Sequence, residues 1–164
     1  MGPTVPERTI SMPPIVIVDT SVLLNVLDVP GFNQDRATVL GRFGELVEAA
    51  ANLLLPMGAV FETGNHIAQL PDGQRRRRYA EVFRDRVREA LAGRAPWTLV
   101  PGPDATQLAE SLDSFPEYAM QGVGMVDLAI VKAWERACAR HPRRHVSIWS
   151  LDHHLAGHDQ RPHG

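Results

Sequence analysis

Four acidic residues that lie far apart in the sequence are placed where they could share one reaction site. Asp19 ends a run of four β-branched apolar residues, and Glu62 and Asp152 follow two later apolar runs. Asp127 stands in the first turn of a segment with helical spacing. Carboxylates that share a cleft repel one another unless a cation neutralises them. Oxygen ligands suit Mg²⁺ or Mn²⁺ and suit zinc poorly, so these residues predict a site for a hard divalent cation.

Short apolar runs that alternate with helical patterns are expected to position these acids. The runs at 15–18, 53–56, 97–100 and 145–149 are typical of buried strands, and a helix is expected over 104–112. This alternation predicts a parallel sheet with helices on both faces. Right-handed crossovers bring successive strand ends to the same sheet edge, so the four acids should converge there.

The composition indicates an ordinary globular protein. The 164 residues suffice for one domain, and 44% of them are hydrophobic and 22% charged. Cys138 is the only cysteine, which excludes an internal disulfide and favours a reducing compartment. No apolar run reaches the roughly 18 residues of a membrane helix, and the first residues lack a signal-peptide pattern, so we expect a cytoplasmic location without membrane association. A net charge of -2 leaves room only for a local basic patch.

Four polar residues near the acids could support the site. Thr20 and Ser150 could hydrogen-bond a metal ligand or its water, although capping of the adjacent helix explains both about as well. In particular, Thr20 or the following serine could cap a helix that begins at Val22. Asn65 and His66 come three and four residues after the second acid, and a helix would place both within reach of the cleft and its substrate.

A basic run forms the outside of a predicted amphipathic helix at 74–92. Arg75, Arg76, Arg77 and Arg78 could contact RNA phosphates or an acidic partner. A solvated helix face explains the same run at least as well. The run is therefore a candidate interaction surface and not a defined site.

Four segments, in the right order, resemble the motifs of PIN domains. They are Val18-Asp19-Thr20-Ser21-Val22-Leu23-Leu24, Phe61-Glu62, Gly124-Met125-Val126-Asp127-Leu128-Ala129-Ile130 and Ser150-Leu151-Asp152-His153-His154-Leu155. The third is similar to the family's Gly-x-x-Asp-x-x-Ile segment, and the fourth to its closing Thr/Ser-x-Asp-x-x-Phe/Leu motif. Two features depart from the pattern: the chain is longer than a minimal toxin of this family, and only a dozen residues follow Asp152.

The resemblance implies a three-layer α/β/α PIN-like fold with a central, mostly parallel sheet of four or five strands. It places a single domain at 15–158, a flexible N-terminal tail at 1–14 and a C-terminal tail at 159–164. It also implies a metal-dependent endoribonuclease that hydrolyses RNA phosphodiester bonds, such as the VapC-like toxin of a toxin-antitoxin pair. An antitoxin protein and a second copy of the chain are the partners that this implies.

The family resemblance also assigns roles to the four acids. Asp19, Asp127 and Asp152 would hold one or two Mg²⁺ or Mn²⁺ ions, and Glu62 would ligate through a water or orient it. The alternative is a protein with the same fold but no catalytic activity, which would be an RNA- or protein-binding module. An aspartyl-phosphate phosphatase is disfavoured because Ser21 occupies the position of its second aspartate.

Overall fold

The computed structural model describes residues 11–162. Most of the predicted tail at 1–14 lies outside the described residues, as do residues 163 and 164. Within the described range, no helix combines the length and apolar character needed to cross a bilayer.

A five-stranded sheet forms the centre of the molecule. Its strands are β1 Ile15–Val18, β2 Asn52–Pro56, β3 Trp97–Val100, β4 Val146–Trp149 and β5 Asp159–Gln160. Their spatial order is β3-β2-β1-β4-β5. All pairings are parallel except the last, in which β5 runs antiparallel to β4. The chain thus builds the sheet outward on one side of β1 and then returns to add β4 on the other side.

Six helices accompany the sheet in the described residues. They are α1 Thr20–Val26, α2 Arg36–Glu48, α3 Met57–Ala68, α4 Gly73–Leu91, α5 Ala105–Met120 and α6 Met125–Arg140. The first four pack with one sheet face into a core that includes the fully buried Val18 and Leu53. On the other face, Ile17 and Ile148 pack against Ile130 of α6. Two apolar layers on opposite sides of the strands give the three-layer α/β/α arrangement, because successive β1 residues alternate between them.

Two predictions about the ends of elements were wrong. The helix after β1 begins at Thr20 and not at Val22, and Asp19 occupies its N-cap position without a side-chain capping bond. Thr20 and Ser21 therefore do not cap it, and their hydroxyls donate to carboxylates instead. The segment assigned to a C-terminal tail from residue 159 contains strand β5, held by pairing of Asp159 with Ser147. The sheet consequently has five strands.

Helix α5 is longer than expected because it continues through a proline. The predicted helix ended at 112, whereas α5 runs to Met120 with Pro116 in its interior. Asp104 and Gln107 form a capping box that satisfies backbone groups at the helix start. Packing of α5 against α6 maintains the helix beyond the point where the proline removes a backbone donor.

Replacement of Pro116 by alanine is expected to stabilise the protein by about 1 to 3 kcal/mol, because an interior proline costs a helix about that amount. Urea unfolding followed by circular dichroism measures the change. Pro103→Ala, in the extended segment before α5, is the matched control and should have a smaller effect. An unchanged or lowered free energy of unfolding in Pro116→Ala would show that the proline fits its helix without cost.

Candidate active site

The candidate site lies at the carboxyl ends of β1 and β4, where the strand order reverses. The chain adds β2 to one side of β1 and β4 to the other, so a crevice opens between the segments that leave these two strands. Crevices at such switch points are the usual ligand sites of open α/β sheets. Asp19 leaves β1 and Ser150 leaves β4, and the sheet brings these residues together across most of the sequence.

Asp19 is the most deeply placed acid, with 4% of its surface exposed. The Ser150 hydroxyl donates to its Oδ2 at 2.7 Å and the Ser21 hydroxyl donates to the same oxygen at 2.9 Å. Its backbone N–H donates to the carbonyl of Trp149 at 3.0 Å. These hydrogen bonds fix the orientation of the carboxylate. Because both hydroxyls occupy Oδ2, Oδ1 remains for a ligand in the cleft.

The same two serines also fasten the loop that carries Asp152. The backbone N–H of Asp152 donates to the Ser150 hydroxyl at 2.9 Å, and that of Leu151 donates to the Ser21 hydroxyl at 3.0 Å. Each hydroxyl thus accepts from the loop and donates to Asp19. The acids after β1 and β4 are therefore held by one hydrogen-bond network and do not orient independently.

Helix α3 contributes Glu62 to the cleft. The Thr20 hydroxyl donates to Glu62 Oε2 at 3.3 Å, and His66 Nε2 lies 3.9 Å from Glu62 Oε1, one turn further along the helix. His66 lines the cleft as predicted, whereas Asn65 is exposed and does not line it. Asn65 and His66 point in different directions because successive residues are rotated by about 100° around the helix axis.

Asp127 completes the set from the first turn of α6. Its pKa is raised from 3.8 to about 6, chiefly by burial and then by the negative charges of Asp19, Glu62 and Asp152. This repulsion reaches Asp127 from three other segments of the chain. The four predicted acids therefore share one electrostatic environment.

The acids form one side of a cleft with a volume of about 320 Å³. It is lined by Asp19, Thr20, Ser21, Leu24, Asn25, Phe32, Gln34, Asp35, Glu62, His66, Asp127, Leu151 and Asp152. Five of these residues were not among the predicted site residues: Ser21, Asn25, Phe32, Gln34 and Asp35. Asn25 could have been noticed as a polar residue on an otherwise apolar helix, and it is 3% exposed. The loop residues carry no comparable local signal, since their place in the cleft depends on how the loop folds back.

The donor set fits Mg²⁺ or Mn²⁺. It consists of carboxylate oxygens, and in residues 11–162 the ion-pair partners of these acids are the histidines His66 and His153, with no lysine or arginine. Their charge is therefore poorly compensated by the protein. Among the described residues, the group with three ligand atoms mutually within 4.8 Å is Asp152, His153 and His154. Asp19, Glu62 and Asp127 belong to no such group of three in the described residues. Mg²⁺ retains several of its waters and therefore does not need all of its ligands from the protein.

The basic run lies on exposed helix α4 and does not line the cleft. Arg76 donates to the carbonyl of Leu70 at 2.9 Å, Arg77 lies 3.2 Å from Glu81, and the Arg78 guanidinium is 5.6 Å from the ring centre of Tyr79. These contacts are local to α4 and the turn before it. An RNA or a partner protein that contacts Arg75 to Arg78 would therefore have to extend beyond the cleft.

Ser150→Ala is expected to weaken Mn²⁺ binding by about 10-fold to 100-fold, because loss of a group that orients a metal ligand has effects of this size. The substitution removes the 2.7 Å bond to Asp19 together with the acceptor for the Asp152 N–H. Titration calorimetry with Mn²⁺ measures the affinity. Ser114→Ala, on helix α5, is the matched control. Equal affinity in the wild type and Ser150→Ala would show that the network does not position the ligands.

No protein-family model and no curated protein matches this sequence. Among solved structures, the chain is similar to that of FitAB bound to the IR36 DNA fragment. The match has a TM-score of 0.55 and 18% sequence identity, and covers 85% of this chain and 87% of that chain. At this identity the likeness concerns the fold, and the predicted three-layer α/β/α PIN-like fold with a mostly parallel sheet is confirmed.

Proposed function

We propose that this protein is a divalent-metal-dependent endoribonuclease that hydrolyses RNA phosphodiester bonds. The observation that carries the proposal is the meeting of Asp19, Glu62, Asp127 and Asp152, from four separate segments, around one open cleft without a lysine or arginine partner in residues 11–162. A structural role does not explain this arrangement, because mutual repulsion of carboxylates opposes folding. A bound divalent cation would compensate this repulsion and would also attract an anionic phosphodiester.

Asp19, Asp127 and Asp152 would hold Mg²⁺ or Mn²⁺. The cation would supply Lewis-acid chemistry, acidifying water and offsetting negative charge on the phosphate. Ser21 and Ser150 would keep Asp19 oriented through the Oδ2 bonds. Glu62, kept in place by Thr20, would orient the attacking water and accept its proton.

Cleavage of a mixed RNA pool tests this proposal, with the cut sites identified by sequencing. We expect internal cuts with Mg²⁺ or Mn²⁺, none in excess chelator, and restored cutting when the metal is returned. Single-stranded DNA of the same sequences is the comparison substrate and separates ribonuclease from general nuclease activity. RNA that remains intact at all metal concentrations would contradict the proposal.

One observation favours an alternative, a non-catalytic module that binds RNA or protein. In the described residues Asp152 is grouped with His153 and His154 by ligand atoms within 4.8 Å of one another, whereas Asp19 and Asp127 belong to no such group of three. If RNA binds with equal affinity in metal and in chelator and is never cut, this alternative is correct. If metal increases both RNA binding and RNA cleavage, the proposal of an enzyme is correct.

We further propose that the protein acts as the toxin of a toxin-antitoxin pair. The support is the sequence resemblance to PIN domains together with the shared fold. Induced expression should then arrest growth of a bacterial host, and Asp127→Asn should not. An antitoxin would be a second protein that restores growth when it is co-expressed. Continued growth under wild-type expression, with active enzyme in the extract, would contradict this role.

A homodimer is the second partner that we propose. Leu108, Leu112 and Met120 of α5 are exposed by 42%, 52% and 84%, and pairing would remove them from water. Sedimentation should give twice the mass of 18.1 kDa expected for one chain. Leu112→Glu should then dissociate the pair, whereas a monomeric wild type would exclude it.

A further inference from the structure

Two chemically different groups of side chains line the cleft. One consists of the acids Asp19, Asp127 and Asp152, and the other of the rings of Phe32 and His66. The two ring centres are 4.8 Å apart and the ring planes are inclined by 51°. The mechanism proposed above uses the acids and leaves this aromatic pair without a role.

We infer that Phe32 and His66 form a subsite for one unpaired nucleobase, next to the phosphate that is cleaved. This inference rests on the proposed function and specifies its substrate. The rings are too close for a base to insert between them, since the stacked thickness of a base would need a wider gap. Their inclination instead forms a corner, in which a base can lie on one ring face with its edge toward the other ring.

The position of His66 matches that of a base whose own phosphate is at the acids. Glu62 and His66 are separated by one turn of α3, about 5.4 Å of helix rise, and the two side chains approach to 3.9 Å. Glu62 is in turn linked to Thr20, the residue after Asp19. A nucleotide with its phosphate at the acids therefore reaches the aromatic corner with its base.

The loop that carries Phe32 is connected to Asp19 by a series of hydrogen bonds. Asn25 accepts from the Asp35 N–H at 3.1 Å and donates to the Ser21 carbonyl at 2.9 Å. Val29, within this loop, is completely buried. The Ser21 side chain bonds Asp19. The corner is therefore held at a set distance from the acids before RNA arrives, which lowers the entropy cost of binding.

A polar group next to the corner could contact the edge of the base. Gln34 lines the cleft, and its Nε2 donates to the Gly31 carbonyl at 2.8 Å, which leaves Oε1 as an acceptor. A base within a duplex is stacked on its neighbours and cannot enter such a corner. The site thus selects single-stranded segments, loops or bulges, whose bases can turn outward.

Substrates that lack a single base test the subsite directly. Abasic residues are placed one at a time along a short RNA that the wild type cuts, and kcat/KM is measured for each. We expect one position, beside the cut, where the loss is about 10-fold to 100-fold, the range measured for one stacked base. Phe32→Ala should show the same loss with intact RNA and no further loss with the abasic RNA.

Two further variants separate stacking from folding. Phe32→Leu retains an apolar side chain against the core but cannot stack, so it should behave like Phe32→Ala, whereas Phe32→Tyr should retain most activity. Phe61→Ala is the control, because Phe61 is 68% exposed and does not line the cleft. Phe61→Ala should show the same loss of kcat/KM as the wild type when the base at the critical position is removed. Circular dichroism melting confirms that each variant is folded.

A binding measurement gives the second readout. An RNA with 2-aminopurine at the critical position is titrated with protein in Ca²⁺, and stacking should quench its fluorescence in the wild type and not in Phe32→Ala. The subsite would be overturned if the loss of kcat/KM for Phe32→Ala with abasic RNA equalled the product of the two separate losses. Metal-dependent cleavage would in that case still support the nuclease. Without any cleavage the nuclease fails. 2-Aminopurine placed at each position of the RNA in turn then decides whether the corner holds a base, because quenching at no position would overturn the subsite.

Discussion

Asp127→Asn is expected to reduce RNA cleavage by about 10³-fold and, at the same time, to stabilise the metal-free protein at pH 8. Cleavage falls because the variant loses an anionic oxygen ligand, and loss of one electrostatic contribution to a transition state has effects on this scale. Stability rises because the amide side chain is similar in shape to the carboxylate but carries no charge, so it avoids first the cost of burying a charge and then the repulsion from Asp19, Glu62 and Asp152. We expect a gain of about 1 kcal/mol, a modest value because solvent partly screens Asp127.

Single-turnover cleavage and thermal melting in chelator measure the two effects on the same preparations. Asp113→Asn is the matched control, since Asp113 lies exposed on α5 away from the cleft. Both its activity and its melting temperature should equal those of the wild type. Loss of activity with a lowered melting temperature in Asp127→Asn would mean that Asp127 supports the fold, and would remove the main argument for a metal site.

Mg²⁺ is expected to raise the melting temperature by about 5 to 10 °C at pH 8 and much less at pH 5. A ligand at 100 times its Kd stabilises a protein by about 2.7 kcal/mol, and each kcal/mol corresponds to roughly 2 to 4 °C for a protein of this size. The difference between the two pH values follows from Asp127, whose pKa is about 6 in the folded protein. At pH 5 this carboxyl retains its proton, which a cation would have to displace.

The direction of the pH effect in metal-free protein follows from the same pKa. Below about pH 4 the Asp127 carboxyl is protonated in both the folded and the unfolded state. Between pH 4 and 6 the unfolded state loses its proton first, because its pKa is near 3.8. The free energy of unfolding therefore falls as pH rises through this window, and the full penalty remains above it.

Melting in chelator across pH 4 to 8, with and without excess Mg²⁺ at matched ionic strength, measures this linkage. Asp127→Asn should remove most of the decline with pH in chelator and most of the gain from Mg²⁺. An equal Mg²⁺ effect at pH 5 and pH 8 would show that the ion binds elsewhere on the surface. The clustered acids would then have no part in metal binding.

The sequence by itself determined four of the five strands and the order in which the acids follow them, but it did not indicate β5. The β-branched run at 15–18 identifies a buried strand with Asp19 at its end, and the spacing after Gly124 identifies a helix with Asp127 in its first turn. Such patterns are local, because burial alternates with a period of two residues in strands and of 3.6 in helices. The mostly parallel sheet with helices on both faces and the common cleft of the four acids followed from these elements through general rules of strand connection, whereas the PIN-like form of the fold was implied by the motif resemblance.

Tertiary structure alone decided which polar groups serve the acids. Ser150 and Asp19 are 131 residues apart in sequence, and they bond because β4 returns to the free side of β1. The same return brings the backbone N–H of Leu151 to the Ser21 hydroxyl. Phe32 reaches the cleft because Asn25 anchors its loop. None of these contacts has a local pattern, since each depends on the order of the strands and the path of a loop, which hydrophobic periodicity does not encode.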